Sequence, residues 1–172
     1  ALIATLPGET LRQHRPLWRE SLAQGRKIAS GDPASLRYLL RLLSTDEVIK
    51  LPRTVEVAEN LVGRPRVPDA VRAEALDALS KQWKRTPVST VLTVLDGPGE
   101  FDAAAVGKLL LAQPPEALRA ERPALLKLAQ TNTSDNRSHG WAALALADNS
   151  LDRVWSEAAG SPLSLQSLLG AI

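Results

Sequence analysis

The chain has 172 residues, 44% hydrophobic but only 3% aromatic, and a formal charge of +2 from 21 basic and 19 acidic residues. It has no cysteine, which excludes disulfides, thiol catalysis, thiolate metal sites and haem attachment through a CxxCH motif. The balanced charge argues against a polyanion-binding domain, whose basic excess gathers on one stripe, and no apolar run approaches the ~20 residues that span a bilayer.

Leu and Ala dominate the apolar residues, which favours packed helices over a sheet. The first stretch, "ALIATLPGE", has no initiator methionine and no signal-peptide pattern, so the expectation is a piece of a longer polypeptide. A helix is expected near 9–27. Within it "LRQHRPLWRE" (11–20) sets Arg12, Arg15 and Arg19 at helical spacing around His14 and Trp18.

"GDPASLRYLL" (31–40) reads as a helix start, with Asp32 as cap and Pro33 in the first turn, where its missing N–H costs nothing. Leu36, Leu39, Leu40 and Leu43 follow at i, i+3, i+4 and i+7, one face of a helix. Another helix is expected over 53–63, then the breaker "GRPRVP" (63–68). "VRAEALDALSKQW" (71–83) follows, and its end carries Lys81, Trp83, Lys84 and Arg85. Thr86 and Pro87 repeat the cap-and-proline start, ahead of Val88, Val91, Leu92 and Leu95.

"DGPGEFD" (96–102) groups Asp96, Glu100 and Asp102 around two glycines. It lacks the DxDxDG spacing of a calcium loop and reads as a turn whose acids favour a helix N-terminus. Helices are expected over 101–113 and 115–130, separated by "QPP". After "TNTSD" (131–135) comes "NRSHGWAALALAD" (136–148), then a helix over 150–159. The last phrase, "GSPLSLQSLL" (160–169), is a near twin of residues 31–40 at an offset of 129. It has Ser161 as cap, Pro162 next, and a stripe of Leu165, Leu168, Leu169 and Ile172.

A second phrase recurs too. Residues 71–83 can be laid on 136–148 with Arg72 over Arg137, Leu76 over Trp141 and Leu79 over Leu144. Short breakers between helices imply antiparallel neighbours. Degenerate helix pairs of about 30 to 45 residues imply an all-α, HEAT-like solenoid of stacked antiparallel pairs sharing one continuous core. A compact irregular helical bundle has the same composition. The expected organisation is a single helical repeat domain over 1–172, less regular over 1–50 and HEAT-like over 51–172. Its expected core includes Leu36, Leu39, Leu40, Leu76, Leu79, Leu109, Leu125, Leu144, Leu168 and Leu169.

Chemistry is sparse. His14 and His139 have no HxxxH or HxxE partner and read as exposed helix residues rather than ligands or bases. No GxGxxG, GxxxxGK[ST] or GxSxG motif occurs. No catalytic, cofactor-binding or metal residue is assigned. Trp18, Trp83, Trp141 and Trp155 sit at apolar helical positions and read as core filling between helices. Trp83, with a lysine on either side, can also mark a binding surface. The candidate partner-contact surface is therefore Arg12, Arg15, Arg19, Lys81, Trp83, Lys84 and Arg85, facing an acidic partner or phosphates. The plainer reading of the same cations is a solubilising surface, diluted by Glu20, Glu74 and Asp77.

The stretch "LPRTVEVAENLVGRPRVPDAVRAEALDALSKQWKRTPVSTVLTVLD" resembles the HEAT-like repeat region of large haem-binding, membrane-bound dehydrogenase-like proteins of planctomycetes and verrucomicrobia. "LLLAQPPEALRAERPALLKLAQ" and "WSEAAGSPLSLQSLLGAI" are similar to it as well. These motifs are caps and Leu/Ala stripes, so no site residue carries over. The resemblance implies a periplasmic or otherwise extracytoplasmic, non-catalytic scaffold. It would link a propeller dehydrogenase-like module to a cytochrome c-type one, with no cofactor in this segment and haem c elsewhere in the parent protein. Its partners would be neighbouring domains or another protein, without nucleic acid or membrane insertion. The alternatives are a stand-alone protein- or peptide-binding HEAT-type adaptor and, further off, a HEAT-like DNA glycosylase.

Overall fold

The structure, a computed structural model, describes residues 15–24, 33–97, 101–131 and 133–171. Every regular element among them is a helix, and no strand occurs. The protein is all-α. In chain order the helices are α1 (Arg15–Ala23), α2 (Pro33–Arg41), α3 (Thr45–Ile49), α4 (Val55–Gly63), α5 (Asp69–Trp83) and α6 (Pro87–Asp96). They continue with α7 (Ala103–Leu111), α8 (Pro115–Ala120), α9 (Arg122–Ala129), α10 (Ser134–Asp148), α11 (Leu151–Ala158) and α12 (Pro162–Leu169). The chain forms two compact units, Ala1–Gln82 and Trp83–Ile172.

Local chemistry sets the helix starts. Thr54 and Thr86 accept from the backbone N–H of Val57 and Ser89, at 3.4 and 3.0 Å. Asp102 accepts from Ala105 at 3.0 Å, so the acidic turn before α7 is a cap. Ser161, expected to cap α12, makes no such bond, and the cap Asp32 and the loop Glu100 lie outside the described residues. Two features depart from the expected elements. Ser44 and Glu47 form a reciprocal capping box that starts the short helix α3. The helix expected over 115–130 is two, because Pro123, in the first turn of α9, has no N–H to continue the ladder from α8.

In the first unit α2 and α3 pack on α4, burying Leu39, Leu40, Val48, Val57, Ala58, Leu61 and Val62. In the second unit α10 is the central helix. It packs against α7, α8, α9, α11 and α12, while α6 meets α7 and α9. It crosses α9 closely at Gly140, where a Cβ would lie 2.4 Å from the backbone N of Ala129. Only glycine admits that approach.

The two long helices correspond at an offset of 65. Both α5 and α10 have 15 residues. Ala75, Leu76 and Leu79 are buried on one, and Gly140, Trp141 and Leu144 on the other. Each helix has an arginine at its fourth position that reaches back to the loop before it: Arg72 to the Arg64 carbonyl (2.9 Å) and Arg137 to that of Thr131 (3.1 Å). Each is followed by a residue in the left-handed region, Lys84 (φ 54°) and Asn149 (φ 48°), a common helix ending.

Eight of the ten expected core leucines are buried. Leu36 is only half-buried, with Ser35 inside instead, and Leu169 is 57% exposed. Trp18 and Trp141 fill the core, but Trp155, expected to do the same, is 46% exposed. At Leu169 and Trp155 the apolar stripe is present and no helix among the described residues covers it.

Candidate functional site

Of the sequence-derived contact surface, Arg12 lies outside the described residues, as does the Arg15 side chain. Arg19 is half-buried and ion-paired with Glu47, the residue that closes the α3 capping box, so its charge serves the first unit internally. Lys81, Lys84 and Arg85 are exposed and Trp83 is half-buried. The Arg85 guanidinium carbon stands 5.9 Å from the centroid of the Trp83 ring, near the outer limit of a cation–π contact. Arg85 also donates to the Thr93 hydroxyl. The left-handed turn at Lys84 sets this pair at the end of α5. What the structure brings together is thus Trp83 with Arg85, an amphipathic ledge with lysine beside it.

Two arginines of the first unit are held by internal carbonyls. Arg72 donates to the carbonyls of Leu61, Val62, Arg64 and Val67, which satisfies C-terminal carbonyls of α4 that have no intrahelical partner. Arg64 donates to the carbonyls of Leu40 and Leu43, to the Thr45 hydroxyl and to the Asn60 side chain, and burial lowers its pKa. These are structural roles, since each N–H so used is withheld from a ligand.

Sequence reading missed an ionic cluster in the second unit. Arg122 on α9 holds Asp148 of α10 through both carboxylate oxygens, at 2.7 to 3.1 Å. The same guanidinium reaches Glu157 of α11 at 3.0 Å, and Arg153 joins Glu157 at 3.3 Å. The side chains of Arg122 and Asp148 are 13% and 10% exposed. Hydrogen bonding to Arg122 holds the Asp148 carboxyl below its usual range, and hydrogen bonding to Asp148 raises the Arg122 pKa. The partners are 26 and 35 residues apart in sequence, so no local motif announces them.

His139, expected to be exposed, is instead half-buried. Its imidazole apex occupies the space a side chain on Gly107 of α7 would need: a Cβ there would lie 2.2 Å from Nε2. Its Nδ1 is buried without a hydrogen-bond partner. Burial lowers its pKa, and Asp135 opposes that from one turn away. A base needs a proton path on one nitrogen and an orienting partner on the other. His139 lacks the orienting partner on Nδ1, and its ring packs over Gly107. His14 lies outside the described residues.

Among the described residues no group of three or more His, Asp or Glu could hold a metal ion, and no helix is long and apolar enough to cross a membrane. Compared with known proteins, the chain matches no family model, no curated sequence and no solved structure.

Proposed function

We propose that this chain is a non-catalytic helical scaffold, a HEAT-like stack of antiparallel helix pairs that docks other protein modules. The observation that carries the reading is the correspondence between α5 and α10: equal length, the same buried register, the same arginine clip and the same left-handed ending. Two helices alike in all these respects are what a degenerate repeat produces. Successive pairs then start at Val55, Pro87, Pro115 and Leu151, the second helix of the third pair being α10. Contacts in the second unit also run between elements close in sequence, as repeat packing requires.

Within this reading the polar groups have structural tasks, and the ledge of Trp83 and Arg85 with Lys84 is the surface offered to an acidic partner. The resemblance to the dehydrogenase-like proteins of planctomycetes and verrucomicrobia supports placing the scaffold outside the cytoplasm, between a propeller module and a cytochrome c-type module. Determining the coding sequence on either side of these 172 codons tests that placement. A propeller upstream and a CxxCH motif downstream are expected. A coding region that stops at Ile172 with no redox module would contradict it and favour a stand-alone adaptor.

A further inference from the structure

We propose that His139 and Gly107 form a clasp between α10 and α7, closed while the imidazole is neutral and opened when acid protonates it. The clasp is a ring seated where a side chain is missing. A Cβ on Gly107 would lie 2.2 Å from Nε2 and 2.3 Å from both ring carbons beside it. The apex of the imidazole therefore rests against the main chain of α7, one of the helices packed on α10.

The seat suits the neutral ring and not the cation. Nδ1 is buried and has no hydrogen-bond partner. A neutral ring can leave that nitrogen as a bare acceptor, which forgoes one hydrogen bond. The cation must carry a proton on both nitrogens, and a buried charged donor without an acceptor is far more costly. Charging the ring thus favours a position in which Nδ1 reaches water or an anion.

The charges around the seat give the direction of release. On α10, Asp135 is one turn earlier and exposed, and its carboxylate favours the charged ring. Arg137 is tied to the Thr131 carbonyl at 3.1 Å. On α7 the one ionisable side chain is Lys108, exposed and next to Gly107, a like charge to the imidazolium. The α7 cap Asp102 is held by the Ala105 N–H at 3.0 Å. Arg119 and Arg122 are held at Ala147 and Asp148, and Glu157 and Arg153 join that cluster, about 12 Å farther along α10. Glu121 accepts from the Thr86 hydroxyl. Glu116, Lys127 and Asp152 are exposed, and α12 has no ionisable side chain. The charged ring therefore turns to Asp135 and away from α7. What loosens is the contact beside Val106 and Leu110, both fully buried, one residue before Gly107 and three after it. Because burial opposes the charge, opening lies below pH 6.5.

This inference goes beyond the scaffold reading, and its failure would leave that reading standing. The test is amide hydrogen exchange of the whole chain at pH 7.5 and 5.0, corrected for intrinsic exchange rates. Protection over 103–111 should fall about threefold or more in acid, while α9, which crosses α10 at Gly140, keeps its own. His139→Gln should remove the acid loss, and His14→Gln should leave it in place. Asp135→Asn should move the opening to lower pH, because the counter-charge is gone. Unchanged protection of α7 would overturn the proposal, as would the same loss in His139→Gln. An equal loss in every helix would also overturn it, since that is global unfolding and no clasp. If His139→Gln fails to fold, Asp135→Asn decides: an opening at the same pH as wild type overturns the proposal.

Discussion

Gly140 of α10 crosses Ala129 of α9 so closely that a methyl group on Gly140 would stand 2.4 Å from a backbone nitrogen. Two effects compete in Gly140→Ala. Alanine gains about 1 kcal/mol of helix propensity, but the atoms it meets are main chain and cannot swing aside. Overpacking of this kind costs about 1–3 kcal/mol, sometimes more. The variant should be net destabilised in urea unfolding, and a gain in stability would show that the two helices do not cross at this residue.

Leu79 is fully buried on α5. Leu79→Ala should cost about 2–5 kcal/mol by chemical denaturation. A loss below about 0.5 kcal/mol, the range of surface substitutions, would remove the core face assigned to α5 and with it the match to α10.

Arg122 neutralises the Asp148 carboxylate, which is 10% exposed, and reaches the partly exposed carboxylate of Glu157. Arg122→Ala should therefore destabilise by about 1–3 kcal/mol, because Asp148 loses its guanidinium partner while Glu157 keeps Arg153. Arg122→Lys should recover only part of that, since an ammonium cannot make the two-pronged contact to Asp148. The depressed Asp148 pKa means that its stabilisation is complete above about pH 4 and is lost as acid protonates the carboxylate. Equal stability of wild type and Arg122→Ala at neutral pH would contradict this.

The pH response of His139 falls in a different window. Its folded pKa is lowered from 6.5 by burial. Below pH 6.5 the unfolded chain binds a proton that the folded chain resists, so stability should fall as pH drops from 7 toward 5.5. His139→Gln should flatten that slope, seen as a smaller shift in thermal midpoint between the two pH values. An unchanged slope would mean that the ring is not held in the gap above Gly107.

Much of the fold was legible because its causes are local. Thr86 and Asp102 cap helices that their sequence context identifies, and the stripe through Leu39 and Leu76 reports helix faces directly. The signature of α3 was present in Ser44-Thr45-Asp46-Glu47, but its helix is too short to show a periodic stripe. Leu169 and Trp155 were misassigned for another reason: a stripe shows which residues are apolar, while burial depends on whether a second helix arrives. The Arg122 cluster joins residues on three helices, and only tertiary structure sets their distances. His139 looked exposed because the gap that receives it is made by a glycine 32 positions earlier, at Gly107.

The central claim is that this chain holds and positions other modules and does no chemistry itself. Titration of the purified protein with haem, followed by absorbance and calorimetry, tests this most directly. No saturable binding at micromolar concentration is expected, since His139 has its Nδ1 buried and its Nε2 against Gly107. Saturable one-to-one binding would contradict the account and make this segment a haem site in its own right, with loss of binding in His14→Gln or His139→Gln naming the ligand.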